Sequence, residues 1–151
     1  MTTIATSGKT IVADGWMTDG NQLWRKSTEK LFEVAVEGSA WVVGVTGEYD
    51  TALAFVKWLR RGRPSDQRPE STMDNDTYNF EALLVDRTTR AIYVCSPPNF
   101  SMVPIDKPTA VGSGGAFALG AMEAGATPYE AVKIAAKYDM ATGGKLMEIT
   151  I

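Results

Sequence analysis

TTIATSGKTIVADG, residues 2–15, is the stretch from which the fold is read. β-Branched residues crowd both ends of it, and Ser7-Gly8-Lys9 stands between them. Threonine, isoleucine and valine suit a pleated, half-buried surface, and a glycine-bearing turn reverses the chain. Residues 2–6 and 10–13 are therefore predicted to pair as a hairpin. The pattern recurs outward from here. KLFEVAV (30–36) and AWVVGV (40–45) flank Glu37-Gly38-Ser39, and residues 80–85 and 91–95 flank residues 86–90. The strands of residues 30–45 are apolar on both faces, which implies a sheet covered on two sides.

Helices stand between these hairpins. From Tyr49, the apolar residues Ala52, Phe55, Val56 and Leu59 recur at helical spacing and fade near Arg61-Gly62. Gly112-Ser113-Gly114-Gly115 opens an alanine-rich helix through Ala124, and Gly125 closes it as a C′ residue. Thr127, Pro128 and Glu130 form a capping box with proline at N1, ahead of a buried face of Ala131, Ile134, Ala135 and Tyr138. Residues 146–151 alternate as a final strand. Residues 14–21 read as a loop, as do residues 62–79, which hold Asp74-Asn75-Asp76. Pro97, Pro98, Pro104 and Pro108 keep the chain extended up to a short strand ending near Val111. Helices set between runs of antiparallel strands indicate an α+β layered domain, and 151 residues fit one such domain, 1–151.

Composition removes several chemistries. The chain has no histidine, so it has no Ser-His-Asp or Cys-His triad and no histidine-ligated zinc. Its one cysteine, Cys95, makes no internal disulfide and reads as a core residue of a β-rich run. A net charge of −3 argues against nucleic acid as a partner, since that affinity comes from neutralised phosphates. No apolar run approaches the roughly 18 residues of a membrane span. The N-terminus lacks a basic segment followed by an apolar one, so no signal peptide is read and the cytoplasm is expected.

Six motifs carry a resemblance. Thr2-Thr3-Ile4-Ala5, Ala13-Asp14-Gly15, Lys30, Gly44-Val45-Thr46-Gly47, Gly112-Ser113-Gly114-Gly115 and Asp139-Met140-Ala141-Thr142-Gly143-Gly144 follow one another across nearly the whole chain. In this order they resemble the N-terminal nucleophile hydrolases of the proteasome β-subunit and HslV class. Asp14 and Lys30 are sixteen residues apart, as in that family. The interval from Thr2 to Asp14 is shorter, and the difference falls in the first hairpin turn, where deletions are cheap. Thr142 stands where the family has serine.

The resemblance implies a four-layer αββα sandwich and a threonine peptidase. Thr2 would be the nucleophile once Met1 is removed, and its α-amine the general base. Lys30 would lie beside the Thr2 hydroxyl, with Asp14 holding it. Gly47 would offer its N–H to an oxyanion, while Ser113, Asp139 and Thr142 would surround the amine. Val45, with Met17 and Tyr49, would line the pocket for an apolar side chain before the scissile bond. No cofactor is required, although relatives hold a sodium or magnesium ion on backbone carbonyls near the Asp139 loop. Relatives also stack as rings, hexameric or heptameric, around peptide or unfolded protein substrate, and an ATPase unfoldase is a possible partner.

Each residue also has a plainer reading. Thr2 is a strand former, Asp14 before glycine a turn residue, Lys30 an edge charge and Asp139 a local acceptor. Residues 112–115 could cradle a phosphate, but the Gly-Lys-Ser/Thr ending of a P-loop is missing. Lys57, Arg60, Arg61, Arg63 and Arg68 form a basic stretch without interleaved aromatics in its loop, read as a solvated helix end. Trp58 among them is expected to be partly exposed and to mark an intersubunit contact. Two rival functions stay open: a non-proteolytic amidohydrolase using Thr2, and a silent ring-forming protein that keeps Met1.

Overall fold

Neighbouring residues of the first strand enter different cores. Ile4 packs between two sheets, whereas Ala5 lies under two helices. This alternation is the strand period at work, and it stacks layers on both faces of one sheet.

The computed structural model describes residues 2–71, 73, 74 and 77–151. In chain order the strands are β1 (Thr3–Thr6), β2 (Thr10–Ala13), β3 (Met17–Asp19), β4 (Gln22–Arg25), β5 (Leu31–Val36) and β6 (Ser39–Gly47). Helix α1 (Tyr49–Arg60) follows, then a 3₁₀ turn at Ser65–Gln67 and the two-residue strands β7 (Met73–Asp74) and β8 (Thr77–Tyr78). The chain continues through β9 (Phe80–Asp86), β10 (Ile92–Ser96), β11 (Ser101–Ile105) and β12 (Thr109–Gly112). It ends with α2 (Gly115–Glu123), α3 (Pro128–Tyr138) and β13 (Met147–Thr150).

One sheet has the order β12-β1-β2-β13 and the other β11-β10-β9-β6-β5, each antiparallel throughout. Ile4, Ile11, Leu31, Val42, Leu83 and Val85 fill the space between them. Helix α1 covers the outer face of the second sheet with Phe55, Val56, Trp58 and Leu59. Helices α2 and α3 cover the first with Ala118, Met122, Ala131, Val132 and Ala135. The architecture is the four-layer αββα sandwich. Among the described residues, no helix is long and apolar enough to cross a membrane.

The hairpins, α1 and both later helices lie where the sequence places them. Thr127 accepts from the Glu130 N–H at 3.2 Å while the Glu130 carboxylate accepts from the Thr127 N–H at 2.8 Å, the reciprocal capping box. Cys95 is buried and donates to the Phe100 carbonyl at 2.8 Å, and burial pushes its thiol up to about 11.

Other expectations are corrected. Residues 14–21 are not all loop, because β3 pairs with β4 around Asp19 and Gln22. Strand β11 pairs with β10 even though Pro104 lies within it, which an edge strand tolerates. Trp58 is 5 % exposed, packed against Phe55 and Phe100, with its indole N–H on the Pro64 carbonyl at 2.9 Å. It is core, so its expected surface role fails. Tyr138 is 67 % exposed and Val132 takes the buried place on α3 instead. Of Asp74-Asn75-Asp76 in the long loop, Asp74 lies in β7, while positions 75 and 76 lie outside the described residues, as does Met1.

Candidate active site

Strand β2 is flanked by β1 and β13, and Asp14 follows its last residue at the end of the sheet. There the carboxyl is fully buried. Its Oδ1 accepts from the Thr3 N–H at 3.0 Å and from Lys30 Nζ at 2.8 Å. Its Oδ2 accepts from the Gly143 N–H at 3.0 Å and the Trp16 N–H at 3.3 Å. A buried carboxylate is tolerable only with such compensation. Lys30, just before β5, is itself buried, and that burial lowers its ammonium pKa from the ordinary value while Asp14 opposes the shift.

A second group forms behind the N-terminal strand. Asp139 caps the end of α3, and its Oδ2 accepts from the Ser113 hydroxyl at 2.6 Å and from the Thr142 hydroxyl. Its Oδ1 accepts from the Ala141 N–H at 3.2 Å. Burial works to raise this carboxyl, but those three donors hold it below its ordinary value. Thr142 spends its proton on Asp139, so the 2.6 Å contact between the Thr3 and Thr142 hydroxyls has Thr3 as donor. Thr3 thereby joins the two groups, its N–H on Asp14 and its O–H directed to Asp139 through Thr142.

One glycine turn presses close to this strand, and a second closes the end of β6. Gly112 pairs with Thr3 at φ +92°, and a Cβ there would sit 1.9 Å from the Thr2 carbonyl oxygen. At Gly114 a Cβ would sit 2.1 Å from the Thr3 hydroxyl. Gly47 ends β6 at φ +92°, where a Cβ would strike the Asn79 carbonyl at 2.0 Å. Only glycine fits these turns.

A cavity of about 590 Å³ opens beside them. Thr2, Lys30, Gly47, Val45, Met17 and Tyr49 all line it. Ser113, Asp139 and Thr142 lie outside its lining, grouped around Asp139. A hydroxyl and a buried cation at the edge of a cleft are an arrangement suited to nucleophilic attack on a carbonyl.

Sequence reading missed part of this. Thr3 looked like any strand threonine, and its role comes from pairing geometry. Trp24, on the unforeseen β4, walls the cavity, as do the acidic residues Asp19, Glu48 and Asp50. Thr28 lines it too, with a buried hydroxyl that has no hydrogen-bond partner among the described residues. No sequence signal distinguishes Thr28.

A sodium or magnesium ion near the Asp139 loop would have to be held by backbone carbonyls of that loop, since no cluster of three or more acidic or cysteine side chains stands together among the described residues. The Asp139 carbonyl already accepts from the Thr142 N–H, and the Gly143 carbonyl accepts from both Gly15 and Trp16.

Asp14→Asn is expected to cost about 3–5 kcal/mol of unfolding free energy, because it leaves Lys30 buried without a counter-charge. Urea denaturation measures this, and adding Lys30→Met should recover most of the loss. A cost under about 1 kcal/mol for the single variant would contradict the burial argument.

No protein-family model matches the chain, and none of the curated proteins matches it. Solved structures do. BPH of Thiobacillus denitrificans in complex with epoxomicin aligns at 17 % identity with a TM-score of 0.68, covering 99 % of this chain and 97 % of that one. Eukaryotic HslV from Trypanosoma brucei aligns at 17 % identity with a TM-score of 0.67, covering 98 % and 97 %. A second structure of the Thiobacillus denitrificans BPH gives 17 % identity and a TM-score of 0.66, covering 99 % of this chain and 96 % of that one. The chain has the fold of these proteins, the N-terminal nucleophile hydrolase fold.

Proposed function

We propose that the chain is a threonine peptidase subunit of a self-compartmentalising ring, with Thr2 as nucleophile after Met1 is removed. The observation that carries this reading is the convergence of Thr2, Lys30 and Gly47 on one cavity while Asp14 clamps Lys30 at 2.8 Å.

With no histidine in the chain, the base is the α-amine of Thr2, whose ordinary pKa is about 7.7–8.0. The Lys30 cation lowers the pKa of both amine and hydroxyl. The amine takes the hydroxyl proton as Thr2 Oγ1 attacks the peptide carbonyl, and the Gly47 N–H receives the oxyanion. The ammonium then protonates the departing amine, which leaves an ester on Thr2. Water, deprotonated by the same amine, hydrolyses that ester and restores the hydroxyl. Ser113, Asp139 and Thr142 orient the amine and relay its proton. No step is assigned to a sodium or magnesium ion.

Val45, Met17 and Tyr49 shape the cavity for an apolar side chain before the scissile bond, and Asp19, Glu48 and Asp50 also line it. Ring assembly confines such an activity in the cytoplasm, and an ATPase unfoldase would deliver unfolded protein. The fold shared with HslV supports this reading.

A peptide epoxyketone such as epoxomicin, present in one BPH structure, tests the nucleophile. The Met1-free protein is expected to gain the mass of one inhibitor, and Thr2→Ala to gain none. Thr2→Ala should also lose at least about a thousandfold in peptide hydrolysis. Full activity in that variant would overturn the mechanism. A second test is the pH profile of kcat/KM. The acid limb should follow the α-amine, below its usual range. The alkaline limb should fall below the ordinary 10.5 of lysine, because burial lowers Lys30 and the rate needs its proton. Lys30→Arg, which keeps its charge, should flatten the alkaline limb of its remaining activity. An unchanged limb would remove Lys30 from the chemistry.

A further inference from the structure

Strand β9 carries an acid at a place where its neighbours are apolar. Phe80, Ala82 and Leu84 face α1, and Leu83 and Val85 face the space between the sheets. The strand period therefore directs Glu81 to the inter-sheet side, opposite Thr46 and one position from the Gly47 pairing. There the core gives way to a second cavity, of about 420 Å³.

This cavity shares Gly47 and Asn79 with the first, and it is bounded by Ser113, whose hydroxyl lies 3.5 Å from the Thr2 carbonyl oxygen. The two cavities thus flank the oxyanion glycine. A peptide lying across Thr2 must place its acyl part on one side and its departing part on the other. Val45, Met17 and Tyr49 assign the acyl part to the larger cavity, which leaves the second for the departing part.

Glu81 is the only charged residue among the described ones that line the second cavity. Its carboxyl accepts from the Gly112 N–H, and burial raises its pKa against that bond. No lysine or arginine among the described residues forms an ion pair with it. A half-buried carboxylate with one neutral donor gains most from an arriving cation.

We propose that this second cavity receives the departing segment of the substrate, and that Glu81 confers a preference for lysine or arginine directly after the scissile bond. The inference rests on the peptidase reading of Thr2. Glu81 is a specificity residue and takes no part in the bond changes.

The test uses paired quenched peptides that differ only after the scissile bond, lysine in one and norleucine in the other. Wild-type protein should favour the lysine peptide about tenfold in kcat/KM, the scale of one charge-assisted hydrogen bond. Glu81→Gln, whose side-chain oxygen still accepts from Gly112, should bring the ratio close to one. Epoxyketone labelling of Thr2 in the same variant reports that its active site is folded. A complementary measurement needs only the wild type: the dipeptide amide Lys-Leu should inhibit as product more strongly than norleucyl-Leu. Equal inhibition, a wild-type ratio of one, or a preference that survives Glu81→Gln overturns the proposal while a labelled Thr2 leaves the peptidase reading standing. Absence of both labelling and cleavage in Met1-free wild type removes that reading, and this inference with it.

Discussion

The carboxylate of Asp14 has no contact with water, and four segments of the chain supply its donors. Thr3 comes from β1, Lys30 from just before β5, Gly143 from the loop after α3 and Trp16 from the segment following β2. Each donor answers one lone pair, and each ties a different element to the end of the first sheet. Taking two charges out of water is costly, and the geometry must be good to offset that cost. The sandwich meets this condition by bringing Lys30, just before β5 of one sheet, against Asp14, just after β2 of the other. Lys30 is thereby fixed at the cavity, with its position decided by the fold and not by side-chain freedom.

The Asp139 group depends on this anchor through Thr3. One residue binds Asp14 with its backbone and Asp139 with its side chain through Thr142, so the N-terminal strand is held on both flanks. The glycine turns complete the enclosure. At Gly112 and Gly114 any side chain would displace Thr2 or Thr3, so the strand and the turn can approach only as glycine allows. In the proposed mechanism, preorganisation of this kind would serve a nucleophile that carries its own base, because amine and hydroxyl share one residue and must be oriented together.

Much of this was legible beforehand, for physical reasons. Hairpins announced themselves through β-branched runs around glycine, and α3 through its capping box. Asp14, Lys30 and Gly47 stood out only through the family resemblance of the motifs that carry them. What was missed had no local signal. Strands β3 and β4 are short, largely polar and exposed, so no apolar alternation marks them. Pro104 disguised β11, whose edge position lets a residue without an N–H belong to a strand. Trp58 sits among cations in sequence, yet helical spacing turns it toward Phe55 and Phe100. Thr3, Thr28 and Glu81 acquire meaning only when strands that are distant in sequence meet, which no single segment encodes.

The proposed chemistry depends on a free α-amine at Thr2. The most direct measurement compares two preparations of the same protein, one with Met1 retained and one with Met1 removed, each verified by intact mass, in hydrolysis of an unfolded protein substrate. The account predicts that activity resides in the Met1-free form, since a methionyl peptide bond turns the amine into an amide that cannot act as base. Equal hydrolysis by both preparations would contradict it.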